Sequence, residues 1–298
     1  MDILNPVGSR NPNQTSGEGE REDEIVELKS KSYVEGAQSI PLPSKGVFYT
    51  WDPKLIGIET LKVRELNYSD EDILTTKSYL EDGSVFLELL KNVIIDENNF
   101  TANGLVPIDR DTILLWLRST SFGNEFEAEV NCPNCSEKNK IVWNLSSFKI
   151  PEYSEEVLSV LKEKGEYSFR TPLRDLKVSI TVPTIGRQKE YEKLLEAKKK
   201  NNKLKTDLYG MGSVMLIISS VEELETGKVL RRKSEIESYF AKINLPISDA
   251  RYIRKQLEKI SLVYDTKQSL TCTNCEYTQE GIEMPMLHPN FFWPDTGV

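Results

Sequence analysis

Apolar residues between positions 69 and 122 recur at intervals of three and four, the spacing that places them on one face of a helix. Start and stop signals divide this stretch into three predicted helices. They cover Ser69 (with Asp72 as its capping-box partner) to about Leu80, Val85 to Ile95, and Asp109–Asp111 to just before Gly123. An alternating strand is predicted ahead of them from Ile56, Ile58, Leu61 and Val63. The pattern therefore predicts a helical bundle that follows an extended N-terminal segment.

A period of two replaces the helical period at two later points and predicts β-hairpins. The first hairpin follows the bundle, and its apolar positions are Phe126, Ala128 and Val130 before the turn and Ile141, Trp143 and Leu145 after it. The second hairpin pairs Tyr167–Arg170 with Val178–Val182 around a turn at Pro172–Asp175.

Helical spacing returns after the second hairpin. Residues 185 to 205 predict a polar helix whose inward positions are Tyr191, Leu194 and Leu195. The glycines of Gly210-Met211-Gly212 predict close packing of a buried helix, because the full phosphate-binding glycine pattern is absent. Two further helices are predicted from capping residues: one from Ser234 with Glu237, and one from Ser248 that carries Ile253, Leu257, Ile260 and Tyr264.

The four cysteines of the chain form two distant pairs, Cys132-Pro133-Asn134-Cys135 and Cys272-Thr273-Asn274-Cys275. Two facing Cys-x-x-Cys turns supply four sulfurs for a tetrahedral structural zinc site, so we predict one zinc ion per chain in a zinc ribbon. Its ligands are Cys132, Cys135, Cys272 and Cys275. Unligated cysteines and redox cysteines are the alternatives, but redox pairs favour strand-to-helix junctions, whereas the flanks here alternate. Four thiolates leave no open position, which argues against a catalytic zinc.

The predicted fold class is α+β, with helical bundle regions, β-hairpins and a zinc ribbon made from two distant CxxC knuckles. The 298 residues then divide into four predicted parts. These are a disordered acidic tail at 1–37, an extended segment with the helical bundle at 38–124, the zinc ribbon with the C-terminal tail at 125–150 and 265–298, and a β-hairpin and helical insertion at 151–264.

The net charge, the basic clusters and the single histidine limit the classes of function that the sequence supports. A net charge of −9 argues against a protein whose main task is to hold a phosphate backbone. Two basic clusters are interpreted as solvated faces in preference to nucleic-acid contacts: Lys198, Lys199, Lys200, Lys203 and Lys205, and Lys228, Arg231, Arg232 and Lys233. The only histidine, His288, has no serine elbow or helical metal pair to work with. We therefore expect a cytosolic protein without a membrane segment, enzymatic activity or small-molecule substrate.

The segment from Met284 to Pro294 concentrates apolar side chains among three prolines. Two hypotheses stay open for it. The segment folds back and covers the N-terminal bundle, or Phe291, Phe292 and Trp293 anchor a partner protein, as aromatic residues often do at interfaces.

Three stretches together resemble the baseplate hub and hub-assembly proteins of T-even-type contractile-tailed bacteriophages. They are Leu42-Pro43-Ser44-Lys45-Gly46-Val47-Phe48-Tyr49, Phe122–Glu127 running into the first knuckle, and Phe291-Phe292-Trp293-Pro294. The resemblance covers most of residues 38–298 and leaves out the acidic tail. Ser136 departs from the glycine often found after the second knuckle cysteine, which affects the turn and leaves the ligands intact.

That resemblance implies a late viral protein that binds other baseplate hub or tail proteins, as a minor structural subunit or as an assembly factor. Its expected location is the host cytoplasm during assembly, or the baseplate of the virion tail. The alternative is a zinc-ribbon protein that binds nucleic acid or takes part in transcription. The ribbon and the two basic clusters support this alternative, and the net charge opposes it.

Overall fold

The computed structural model describes residues 36–95, 100–200 and 209–292, so the predicted acidic tail lies almost wholly outside the described residues. The α+β class is confirmed, because the described residues form helices together with small antiparallel sheets. The helices are α1 Tyr68–Thr75, α2 Lys77–Glu81, α3 Val85–Val93, α4 Pro107–Phe122, α5 Glu155–Lys164, α6 Ile185–Lys200, α7 Tyr209–Ile217, α8 Lys233–Lys242 and α9 Ile247–Ile260. The strands are β1 Ala37–Pro41, β2 Thr60–Arg64, β3 Glu125–Asn131, β4 Lys138–Asn144, β5 Tyr167–Arg170, β6 Lys177–Ile180, β7 Ile218–Glu222, β8 Val229–Leu230, β9 Gln268–Thr271 and β10 Thr278–Ile282.

The region predicted as the first helix contains two helices, and the N-cap of the first is not the predicted residue. Asn67 is the N-cap of α1: its side chain accepts from Ser69, while its own N–H donates to Asp70. The chain leaves helical geometry at Thr76, where α1 ends and α2 follows. The predicted cap at Ser69 is wrong because the capping box begins two residues earlier, at Asn67. The predicted single helix to Leu80 is wrong because the chain is extended at Thr76.

The strand before the bundle is shorter than predicted. It begins at Thr60, and Ile56 and Ile58 lie in the preceding turn region, where Ile56 is exposed. Gly46 has a φ of +63°, and a Cβ there would lie 2.5 Å from the Ile58 nitrogen, so glycine allows this close approach.

Helices α3 and α4 supply the centre of the bundle, as predicted. Six of their side chains are completely buried: Leu89, Leu90, Val93, Ile113, Leu114 and Leu117. Asp109 lies in the first turn of α4, as predicted for its charge, although the helix begins earlier, at Pro107. Its side chain is also a buried acceptor for Ser44 and Tyr49. It accepts from the Ser44 backbone N–H at 3.0 Å and the Ser44 hydroxyl at 2.5 Å, and also from the Tyr49 hydroxyl. These bonds fasten the N-terminal segment to α4.

The predicted second hairpin is confirmed and belongs to a four-stranded antiparallel sheet of order β5-β6-β7-β8. Strand β7 was missed, because the continuous apolar run from Val214 to Ile218 has no period that separates the end of α7 from the start of a strand. The predicted close packing of Gly212 is confirmed, since a Cβ there would lie 1.2 Å from the Tyr191 hydroxyl oxygen. The inward position predicted for Leu194 is wrong, because this side chain is 59% exposed.

The last two helices begin earlier than their predicted caps. Helix α8 follows Arg232 and α9 follows Pro246, and neither N-cap residue makes a side-chain capping bond. Helix α9 ends at Ile260, so Tyr264 lies beyond it, with its hydroxyl 2.9 Å from the Thr112 hydroxyl of α4. The described residues from Gln38 onward belong to one compact unit, and none of the described helices has the length and apolar character needed to cross a membrane.

Candidate metal centre

Two antiparallel hairpins carry the cysteine pairs at their turns. Strands β3 and β4 pair in regular register from Glu125 with Asn144 to Asn131 with Lys138, which confirms the predicted hairpin around the first knuckle. Strands β9 and β10 form the second hairpin and pair Thr271 with Thr278 next to its knuckle. The two hairpins are separate two-stranded sheets, so no backbone ladder joins them.

Each knuckle has the same backbone hydrogen bonds. In the first, the Cys132 N–H donates to the Glu137 carbonyl at 2.8 Å, and the Ser136 N–H donates back to the Cys132 carbonyl at 2.8 Å. In the second, Cys272 donates to Tyr277 at 2.9 Å, and Glu276 donates to Cys272 at 3.1 Å.

Both turns place a residue other than glycine in the left-handed region of backbone conformation. Ser136 has a φ of 62° and Glu276 a φ of 58°. The two knuckles therefore share one geometry, and each holds a strained residue directly after its second cysteine.

The four sulfur atoms lie within 4.8 Å of one another. The Sγ atoms of Cys132 and Cys275 are 3.6 Å apart, as are those of Cys135 and Cys272. A tetrahedral zinc site with Zn–S bonds of about 2.3 Å has sulfur-to-sulfur edges of about 3.8 Å. All four cysteines are free thiols, so the arrangement fits a four-thiolate metal site and contains no disulfide.

Hydrogen-bond donors favour the thiolate form, which is the form that binds metal, at Cys272 and Cys275. Hydrogen bonding with the Cys275 thiol instead raises the pKa of Cys135 to about 11. Backbone N–H groups of Asn274 and Cys275 lower the pKa of Cys272 to about 6, and the Asn139 side chain adds to this effect. The Asn134 side chain, together with the Tyr277 backbone, lowers the pKa of Cys275. The Nδ2 of Asn134 lies 3.5 Å from the Cys275 sulfur, and the Nδ2 of Asn139 lies 3.5 Å from the Cys272 sulfur.

The end of the first hairpin that lies away from its knuckle is anchored in the hydrophobic core. Trp143 is fully buried, its ring lies 5.8 Å from that of Phe126, and its Nε1 donates to the Thr266 carbonyl at 2.8 Å. The Thr266 hydroxyl also accepts from the Met284 N–H, at 3.3 Å, so Thr266, which precedes β9, joins the residues after β10 to the first hairpin. The knuckles, by contrast, lie at the polar ends of the strands.

The predicted partner residues Phe291 and Phe292 are both completely buried within the chain. The Phe292 ring lies 5.9 Å from Phe86 and 6.0 Å from Phe122, and the Phe291 carbonyl accepts from Arg118 Nε at 2.8 Å. This packing matches the fold-back hypothesis and leaves neither ring exposed to a partner. Trp293 lies outside the described residues.

The other candidate groups have local roles. The exposed His288 accepts at Nδ1 from the Asn290 N–H at 3.2 Å, which is a turn contact. Lys233 was predicted as part of a solvated basic cluster. It is partly buried, and its ammonium group donates to the carbonyls of Met215 and Ile218, while burial lowers its pKa to about 7.

Nothing in the sequence indicated the hydrogen bonds that Asp109 and Asn139 make, because their partners are distant in the chain. Asp109 binds residues 60 and 65 positions away, and Asn139 binds residues 133 and 134 positions away. Local patterns carry no signal for such contacts.

Comparison with known proteins returns one family. A family model described as T4 bacteriophage base plate protein matches residues 42–293, which includes both knuckles and the bundle. No curated protein and no solved structure matches the chain.

Proposed function

Because the chain belongs to the family of T4 bacteriophage base plate proteins, we propose that it acts in the central hub of the baseplate, as a minor structural subunit or as a hub-assembly factor. The observation that carries the proposal is the extent of the family match, which spans the bundle, the four-stranded sheet and both hairpins. The protein acts by binding other phage baseplate or tail proteins and catalyses no reaction. Membership of the family implies a location in the virion tail, and assembly in the host cytoplasm precedes it.

The second part of the proposal is one structural zinc ion per chain, held by Cys132, Cys135, Cys272 and Cys275. The spacing of the sulfurs and the N–H groups directed at them support it. Zinc suits four thiolates, and four protein ligands leave no position for water or substrate, so its role is structural.

The metal would join two segments far apart in the chain. Closing a loop of this size costs about 4 kcal/mol of chain entropy. Structural zinc in small peptides supplies roughly 10–16 kcal/mol, which exceeds that cost. Zinc would therefore fix the second hairpin against the first.

A phage with an amber codon early in this reading frame tests the hub role. Electron microscopy of lysates from a non-suppressing host should show tails that stop before baseplate completion, and a suppressing host should restore them. Normal baseplates in the non-suppressing host would overturn the proposal. Peptide mass spectrometry of purified virions then separates the two forms: recovery of the chain identifies a subunit, and recovery from lysate alone identifies an assembly factor.

A further inference from the structure

Asn139 connects the two hairpins beside the sulfur cluster. It lies in β4, four residues after Cys135, and is 4% exposed. Its Oδ1 accepts from the Thr273 N–H at 2.9 Å and from the Thr273 hydroxyl at 3.1 Å. Its Nδ2 donates to the Glu137 carbonyl at 3.0 Å and to the Cys272 sulfur at 3.5 Å. The carboxamide therefore uses both of its acceptor sites and both of its donors. Three of these four hydrogen bonds go to Cys272 and Thr273 of the second hairpin.

The second hairpin has no equivalent of this contact. Gln279 occupies the matching position, four residues after Cys275, and pairs with Leu270 as Asn139 pairs with Val130. Across the described ranges, Gln279 makes no hydrogen bond to the first knuckle. Within the described residues no backbone ladder joins the two hairpins, so side chains must align the knuckles. Asn134 also reaches across, with its Nδ2 3.5 Å from the Cys275 sulfur, but Asn139 makes three of its four hydrogen bonds to the Cys272–Thr273 turn.

We propose that Asn139 is a positioning residue for the four-cysteine site: it holds the Cys272–Thr273 turn against the first knuckle and thereby sets how long the site retains its metal. The inference rests on the proposed metal site. A ligand whose orientation is fixed by neighbouring hydrogen bonds loses less conformational freedom when metal binds. Removal of such an outer contact typically weakens metal affinity by 10- to 100-fold.

Zinc transfer to a chromogenic chelator from the full-length protein tests the inference. Asn139→Leu removes all four hydrogen bonds at similar volume, and Gln279→Leu is the matched control at the equivalent position. We expect Asn139→Leu to bind one zinc and release it about 10- to 100-fold faster than wild type. Gln279→Leu should stay within about twofold of wild type. Equal release rates for the two variants would overturn the inference.

A second measurement separates a positioning role of Asn139 from a general contribution to the stability of the fold. In the cobalt-substituted protein, loss of the N–H···S bond should move the sulfur-to-cobalt charge-transfer band to lower energy in Asn139→Leu and leave it unchanged in Gln279→Leu. A lower melting temperature with an unchanged band and release rate would mean a structural role alone and would refute the proposal. If Asn139→Leu does not fold, Asn139→Asp takes its place, and its release rate and charge-transfer band are compared with those of Gln279→Leu. Asn139→Asp keeps an acceptor for Thr273 and loses the donor to Cys272.

The outcome is separable from that of the proposed metal site. Wild-type protein without any bound metal would refute the zinc proposal itself, whereas wild type with one zinc and an unaffected Asn139→Leu variant would refute only the role of Asn139.

Discussion

The helical bundle and the cysteine ribbon obtain their order from different sources. Helices α3 and α4 of the bundle bury a continuous set of leucine, isoleucine and valine side chains. The strands of the second hairpin contain no buried residue, and next to them only Cys272 of the knuckle is buried. One compact unit thus combines a region held by apolar packing with a hairpin whose strands bury no side chain completely.

In the part of the chain that the structure describes, ion pairs on the surface do not hold the two hairpins together. The exposed face of the first hairpin has two cross-strand ion pairs, Lys140 with Glu127 at 2.5 Å and Lys138 with Glu129 at 3.0 Å. Exposed pairs of this kind contribute about 0–1 kcal/mol. Both pairs lie within the first hairpin, so the contacts between the knuckles are the close sulfur atoms and the side chains of Asn134 and Asn139.

The largest effect should follow from Cys272→Ser, which removes one ligand of the metal site. The proposed zinc would supply stabilisation on the scale of roughly 10 kcal/mol, and a site with three thiolates would lose most of it. Hydrogen exchange should become fast in Gln268–Ile282 and stay slow in Val85–Val93, because the bundle has its own core. Thr278→Ser, at an exposed position of β10, is the control. Equal loss of protection in both regions would show that the bundle also depends on the metal.

Phe292→Ala tests the other region, because it removes apolar packing from the bundle and leaves the four cysteines in place. The ring is fully buried against Phe86 and Phe122, so the free energy of unfolding should fall by about 3–5 kcal/mol in a denaturant titration. Zinc content should be unchanged. Leu287→Ala is the control in the same segment, because Leu287 is 48% exposed. A stable Phe292→Ala protein that fails to complete baseplates would restore the partner-anchor hypothesis.

Asp109→Ala tests the polar fastening of the bundle. The substitution leaves the Ser44 N–H, the Ser44 hydroxyl and the Tyr49 hydroxyl without their acceptor in a buried setting. The expected loss is about 3 kcal/mol of the free energy of unfolding, again without loss of zinc. Asp72→Ala, on the exposed face of α1, should change stability by less than about 0.5 kcal/mol. A similar small change for Asp109→Ala would contradict the fastening role.

The smallest expected effect is a gain in thermal stability from substitutions in the two cysteine turns. Ser136 and Glu276 both adopt a left-handed φ, which costs a residue with a Cβ more than it costs glycine. Ser136→Gly and Glu276→Gly should each raise stability by about 0.5–1 kcal/mol in thermal denaturation of the metal-loaded protein. Asn131→Gly, in strand β3, should instead lower it. Destabilisation by all three substitutions would show that the turn side chains make contacts that outweigh the strain.

The sequence was most informative where the physical signal is local. Helical spacing located α3 and α4, and cysteine spacing located the four sulfurs that the structure brings together. It failed where two signals overlap, as at Asn67 and Ser69, which are both capping residues within one turn. Strand β7 was hidden for a similar reason, since its apolar start continues directly from α7.

Long-range polar contacts could not be predicted at all. Asp109 and Asn139 find their partners only when segments far apart in the chain are brought together by the core and the knuckles. Before that, one is an ordinary acidic residue at a helix start, and the other is an ordinary polar residue in a strand.

Elemental analysis of full-length protein purified without chelator tests the central claim, that a metal holds the ribbon, most directly. The account predicts one zinc per chain in wild type and a fraction near zero in Cys272→Ser. Wild-type protein with zinc near zero and a second hairpin already protected from hydrogen exchange would contradict it.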